Sequence, residues 1–210
     1  MLDFQGELVA QHGVEAPHFS PISKRVFDKS VATLLLVPLV FCATLLVLLN
    51  PFANPGRLWF WQQRMGKDCK PFYVLKFRTM REGPSRRGAF DPLEKGRVTV
   101  LGQFLRRARL DELPQVINVL RGEMSLIGPR PDCYEHAVVY AQQVPGYTAR
   151  HSVLPGISGY AQTQIGYVDS FASISRKVAA DLYYIDQACF GFDMRIAWRT
   201  IIVILTRSGR

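Results

Sequence analysis

The chain has 210 residues, with 26 Lys and Arg against 17 Asp and Glu, 48% apolar residues and four cysteines. That length makes one domain, or a smaller domain with an appendage, and is enough to bury a core. The composition excludes a disordered polyelectrolyte, a collagen and a cysteine-dense secreted scaffold. Cys42, Cys69, Cys133 and Cys189 form no C-x-x-C pair, and His12, His18, His136 and His151 no H-x-x-x-H pair. Spacing therefore offers neither a zinc site nor a disulfide framework, and a reducing, cytosol-facing location fits. There is no Walker A string and no G-x-G-x-x-G, which disfavours a P-loop or Rossmann site.

In chain order, residues 1–21 carry three acids, no Lys or Arg, and Pro17 and Pro21, and read as a mobile tail. Residues 31–49 are nineteen positions without a charge. They make about 28 Å of helix, close to the ~30 Å hydrocarbon core of a bilayer. A secretory signal would begin near Met1, whereas 30 residues precede this run. Pro38 cannot donate to the carbonyl of Leu34 and should break the helix. Lys24, Arg25 and Lys29 precede the run, and Arg57, Arg64, Lys67, Lys70, Lys76 and Arg78 follow it. Positive-inside logic then puts both flanks in the cytoplasm. A helix that enters, turns at Pro38 and leaves by the same face satisfies both flanks, and is preferred to a single kinked span. Phe52, Trp59, Phe60 and Trp61 suit an interfacial aromatic belt.

PFYVLKFRTM (71–80) alternates in the manner of a short strand leading into Lys76 and Arg78. Residues 82–96 are rich in Gly, Pro and charge and read as a loop. Leu101, Phe104, Leu105 and Ala108 predict a helix with an apolar face and with Arg106, Arg107 and Arg109 opposite. Leu113, Val116, Ile117 and Leu120 repeat that spacing up to a stop at Gly122. SLIGPRPD and LPGISGYAQ (154–162) read as loops. Helical patterns near 178–187 and 194–205 close the chain. The second has an apolar face suited equally to a membrane surface or to an ordinary core.

The informative stretch is LRRARLDELPQVINVLRGEMSLIGPRP (105–131). Asp111 stands three residues before Pro114, where an N-cap belongs, and Glu112 suits the positive end of a helix. The same helix start, with Arg106, Arg107 and Arg109 just upstream, suits a phosphate. Two adjacent carboxylates there can recruit Mg²⁺ with phosphate oxygens, or one can attack phosphorus. Arg130, between Pro129 and Pro131, has a nearly fixed backbone and suits a phosphate or a nucleotide. Lys76 and Arg78 read as strand charges or as phosphate ligands, and Asp181 as a helix-face charge or a site carboxylate. No groove-reading motif or stacking platform accompanies the basic charge, so nucleic acid is not an expected partner.

KRVFD, KFRTM, LDELPQ, NVL-R-G-E-M-S-L-I-G-P-R-P, PGISG and DLYYI occur in that order. In these motifs the chain resembles the bacterial sugar transferase family, the small monotopic phosphoglycosyl transferases, in their minimal form. The resemblance runs over 24–208. Pro38 lies about one helical turn earlier than the helix break of typical members.

The resemblance implies an α+β, mostly helical monotopic membrane protein with one proline-broken re-entrant helix and a small cytoplasmic catalytic domain. It divides the chain into a tail (1–21), the membrane helix (22–56) and a cytoplasmic-face domain with interfacial helices (57–210). The implied activity is transfer of a sugar 1-phosphate from a UDP-sugar to polyprenyl phosphate at the bacterial inner membrane, starting exopolysaccharide or glycoconjugate synthesis. Glucose or galactose is the expected sugar, Mg²⁺ the expected cofactor, and membrane lipids and a second copy of the chain are candidate partners. Asp111 matches the aspartate that takes up the sugar phosphate and Glu112 its metal-binding neighbour. Lys76, Arg78, Arg106, Arg107, Arg130 and Asp181 are the candidate substrate and phosphate ligands. The rival reading is a non-catalytic membrane-surface adaptor for an export or polymerising complex.

Overall fold

The computed structural model describes residues 21–81, 83, 88, 95–164 and 171–206. The expected tail, apart from Pro21, and nearly all of the expected loop at 82–96 lie outside the described residues. The apolar run forms two consecutive helices, α1 (Pro21–Leu34) and α2 (Leu36–Ala53). The interruption falls at Leu35 rather than at Pro38. Pro38 has no N–H for the carbonyl of Leu34, so the defect appears one turn upstream of the proline.

A stripe of this helix pair (Ala32, Leu39 and Leu46, each at most 4% exposed) joins a core with Val74, Phe77, Leu105, Val116, Val119 and Met124. Leu34, Val37, Val40, Phe41, Leu48 and Phe52 are each more than 60% exposed. Leaving six such side chains in water costs on the order of 10 kcal/mol, as much as the entire stability of a typical domain. That face needs an apolar medium. α1 is tied down by the Lys24–Asp193 ion pair and by Ser125 Oγ donating to Asp28 at 2.7 Å.

Past α2 the chain forms an antiparallel hairpin of β1 (Trp59–Met65) and β2 (Pro71–Phe77), running from Trp59 opposite Phe77 to Met65 opposite Pro71. The aromatic belt residues Trp59, Phe60 and Trp61 thus lie on a strand. A side chain supports the backbone of β2. Asn118, fully buried, accepts from Leu75 N at 3.2 Å and donates to Tyr73 O at 2.7 Å.

α3 (Val100–Arg107) follows, capped by Thr99 Oγ1 accepting from Gly102 N at 3.0 Å. Leu105 is its buried apolar residue, while Phe104, expected on the same face, is exposed. A 3-10 turn (Leu110–Gln115) leads into α4 (Val116–Arg121), which ends at Gly122 with a left-handed φ of 79°, as expected of a glycine C-cap.

The two stretches read as loops contain short parallel strands, β3 (Ser125–Ile127) and β4 (Gly156–Ser158). Their backbones approach so closely that a Cβ on Gly156 would lie 2.1 Å from Gly128 N. α5 (Tyr134–Gln143), which the sequence reading did not anticipate, lies between them, with a second 3-10 turn at Tyr147–Ser152. α6 (Tyr160–Gln164), α7 (Phe171–Asp186) and α8 (Phe190–Leu205) complete the fold. α8 buries one part of its apolar residues and exposes another. Ile196 is buried in a small core with Ile127 and Tyr184, while Trp198, Ile201 and Ile202 are exposed.

Candidate active site

The acidic dyad is not at a helix N-cap. Asp111 and Glu112 sit inside the 3-10 turn, whose first flanking residue, Arg109, has φ 53° and ψ 19°. A left-handed conformation in a residue with a side chain stores strain and points to a locally imposed geometry. It turns the chain between α3 and the Pro114 segment so that the dyad faces β2. The turn also packs against α2, and its Leu110 and Leu113 join the core that holds the buried stripe of that helix.

Glu112 is buried and holds three cations. Lys76 Nζ donates to Oε1 at 3.0 Å, Arg130 donates to both carboxylate oxygens (Nη1 to Oε2 at 3.1 Å), and Arg109 Nη1 lies 3.8 Å from Oε2. Burial alone would raise the Glu112 pKa, but Arg130 and Lys76 outweigh it and hold the carboxyl well below the usual range. Glu112 is therefore an ionised anchor, unsuited to proton transfer. Burial lowers Lys76 to about 8 against the opposing pull of Glu112.

Asp111 differs from its neighbour. It is half-buried, and among the described residues its carboxylate has no hydrogen-bond or ion-pair partner. Burial and then the Glu112 charge push its pKa up, while Lys76, Arg106 and Arg130 pull it down without prevailing. An unpaired carboxylate among cations can serve as a nucleophile, a base or a metal ligand.

The sequence-predicted residues separate into three groups. Lys76, Glu112 and Arg130 meet directly, and Arg106 acts on Asp111 through its charge while its Nε donates to Thr79 Oγ1 at 2.9 Å. Arg107 is exposed on α3, with no ion pair among the described residues. Arg78 and Asp181 are engaged elsewhere. The Arg78 guanidinium donates to the carbonyls of Arg57, Met80, Asn54 and Pro55, and Asn54 Nδ2 returns a bond to Arg78 O at 2.8 Å. It fastens the exit of α2 to the end of β2. Asp181, 1% exposed, pairs with the equally buried Arg150.

Sequence reasoning missed Arg150, Asp132 and Lys177, which form one network with Asp181, with Arg150 and Asp181 buried and the other two half-buried. The position of Asp132 directly after the Pro-Arg-Pro run was the one available signal.

For Mg²⁺, the described residues assemble no group of three or more metal-ligating side chains. Mg²⁺ commonly takes only one or two carboxylates plus substrate oxygens. The unpartnered Asp111 fits that role. Glu112 fits once one of its cations is drawn off by a substrate phosphate.

The profile of one protein family, described as "Bacterial sugar transferase", matches residues 19–207. The chain belongs to this family. Among curated family members, it is 41% identical over 184 residues to the UDP-glucose:undecaprenyl-phosphate glucose-1-phosphate transferase of Escherichia coli (strain K12), covering 85% of this chain and 39% of that protein. It is 39% identical to the UDP-N-acetylgalactosamine-undecaprenyl-phosphate N-acetylgalactosaminephosphotransferase of Aeromonas hydrophila, with 85% and 42% covered. It is also 39% identical to the exopolysaccharide production protein PSS of Rhizobium leguminosarum bv. phaseoli, with 89% and 97% covered. The chain thus spans about two fifths of the length of the first two relatives, 39% and 42%, and nearly all of the third.

Proposed function

We propose that the chain transfers a sugar 1-phosphate from a UDP-sugar to a polyprenyl phosphate and releases UMP, at the cytoplasmic face of the bacterial inner membrane. One observation carries the reading. An unpartnered Asp111 lies beside a Glu112 that gathers Lys76, Arg130 and Arg109, on a turn packed against the apolar helix. Polyanionic substrates find cations here, and a lipid-borne one approaches from the side of α2. The Escherichia coli relative is named for UDP-glucose and the Aeromonas hydrophila relative for UDP-N-acetylgalactosamine, both with undecaprenyl phosphate, which makes UDP-glucose the first donor to try and UDP-N-acetylgalactosamine the second. An adaptor has no use for an unpaired carboxylate among cations, and that reading is not favoured.

In the first step an Asp111 oxygen attacks the phosphorus that bears the sugar. The bond from that phosphorus to the bridging oxygen breaks, and UMP leaves with the electron pair. In the second step an oxygen of the polyprenyl phosphate attacks the same phosphorus and Asp111 departs as a carboxylate. Both nucleophiles are already anionic, so no activating base is required. Lys76 and Arg130 face the charge that develops on the phosphoryl oxygens. Mg²⁺, held by Asp111 and Glu112, would neutralise further phosphate charge. Incubation with UDP-glucose in the absence of lipid should release UMP and add a hexose phosphate to the Asp111 peptide. Lipid-dependent turnover without that adduct would remove Asp111 as the nucleophile.

The pH profile tests Lys76. Its pKa near 8 leaves it largely protonated at neutral pH and largely neutral by pH 9, and neutral Lys76 has no charge to offer a phosphate. The donor kcat/KM, which reports the free enzyme, should therefore fall as pH rises through about 8. Lys76→Arg should remove that falling limb at a lower plateau. An unchanged limb in Lys76→Arg assigns it to another group.

The apolar helix is proposed to be re-entrant. Support comes from the stripe Ala32, Leu39 and Leu46, which ties the helix pair to the domain core along much of its length while the opposite face stays apolar and exposed. A single span would carry α2 away from that core. Cysteine labels placed in 1–20 and near Arg64 should both react from the cytoplasmic side only, and periplasmic labelling of the first would establish a span.

A further inference from the structure

The Pro-Arg-Pro-Asp run at 129–132 has an unusual hydrogen-bonding problem. Its two prolines have no N–H, so the segment offers few donors while presenting four carbonyls near the core. Each carbonyl is met by a donor from a different place. Gly156 N serves Pro129 O at 3.0 Å, Arg150 Nη2 serves Arg130 O at 2.7 Å, Arg64 Nη1 serves Pro131 O at 2.8 Å, and Met65 N serves Asp132 O at 3.1 Å. The Arg130 carbonyl is thus held by a side chain that is only 1% exposed and is itself fixed on every side. Arg150 Nε reaches Asp181 Oδ2 at 2.8 Å, its Nη1 reaches Asp132 Oδ2 at 2.6 Å, and its guanidinium lies 5.2 Å over the Tyr147 ring.

We infer that the buried Arg150–Asp181 pair positions Arg130 on Glu112, and that Asp181 acts through Arg150 without touching substrate. This rests on the reading of Arg130 as a substrate-facing cation, and it assigns Asp181 a role other than ligand. Three observations carry it. Asp181 makes its bonds to Arg150 through Oδ2, while Oδ1 is buried and has no partner among the described residues. Arg150, Lys177, Asp132 and Asp181 balance to zero formal charge, leaving no surplus to attract an anion. The Arg130 guanidinium, by contrast, is partly open and grips Glu112 with both arms, so the placement of its backbone decides where that fork points. Asp181 and Arg150 are therefore positioning residues.

The test uses the full chain in lipid nanodiscs and two readouts. The first needs no activity: phenylglyoxal modification of individual arginines, followed by peptide mass spectrometry. Asp181→Asn should accelerate labelling of Arg130 about five-fold or more by releasing it locally, while the buried Arg78 stays unreactive. Acceleration at both arginines means a general loosening of the fold and overturns the inference, as does no change at Arg130. The second readout is kinetic. Asp181→Asn should raise the donor KM about ten-fold with a smaller change in kcat, and should add less than about two-fold in an Arg130→Ala background. Full additivity would show that Asp181 acts independently of Arg130. Asp181→Glu, which keeps the charge on a longer arm, serves as the milder variant should Asp181→Asn not accumulate, and the same outcomes apply to it. Absence of transfer by the wild-type chain defeats the proposed function, while the labelling readout still decides the role of Asp181.

Discussion

Asp111→Asn will abolish the proposed covalent adduct and lower UDP-sugar turnover by at least about 10³-fold, because an amide oxygen is a poor nucleophile toward phosphorus. The same substitution will leave the melting temperature unchanged or raise it. Asp111 accepts no hydrogen bond among the described residues, so the amide forfeits none. Its carboxyl is pushed up by burial and by Glu112, and an acid whose folded pKa exceeds its unfolded value lowers stability wherever pH lies above the unfolded one. At neutral pH the wild-type protein bears that cost and the neutral variant does not. Scanning calorimetry or fluorimetry in detergent, run beside the adduct assay, checks both halves. A large drop in melting temperature would mean that Asp111 is a structural residue.

Glu112→Gln should fail in a different way. Removing this carboxylate leaves Lys76, Arg130 and Arg109 facing one another without their shared counter-charge. Breaking a buried pair while the other charges remain typically costs about 3–5 kcal/mol. The melting temperature should fall by several degrees, and turnover by about 100-fold or more as the cations splay away from Asp111. Because the folded-state pKa of Glu112 is depressed, its contribution in the wild type is present above the usual carboxylate pKa and is lost as pH falls through the depressed value. Acid unfolding of the wild type should therefore be steeper than that of Glu112→Gln. Full activity in Glu112→Gln would show that the dyad has been misassigned. Comparing the two variants separates the two roles: one carboxylate costs stability and is proposed to do the chemistry, while the other secures the cations around it.

The parts of this molecule legible in its sequence were those with local causes. Strand β2 followed from alternation in 71–80, α4 and its glycine stop from helical spacing, and the dyad with Arg130 from adjacent charges and flanking prolines. What stayed hidden depended on distance or on backbone strain. Asp111 looked like a helix cap because Pro114 follows three residues later. The left-handed turn at Arg109 that puts it inside a 3-10 segment leaves no mark in a periodicity count. β3 and β4 are three residues each, too short to show alternation, and pair across 31 positions, from Ser125 to Gly156. Arg78 and Lys76 stand two apart at the end of one strand and look equivalent as letters. Only the chain's return past Asn54 and Pro55 reserves the first for backbone carbonyls and leaves the second for Glu112.

That fastening fixes a distance. Arg78 locks the exit of the apolar helix to the strand end, and Lys76 lies two residues back along the same strand, about 7 Å away at the usual rise. With that helix seated in a bilayer as proposed, a chemical group at that spacing keeps a constant height above the bilayer plane. Under the proposed function, a lipid-borne substrate need not be lifted out of the membrane to a site of adjustable depth. Its headgroup phosphate has only to sit where headgroups already sit, and the apolar helix works as a gauge as much as a tether.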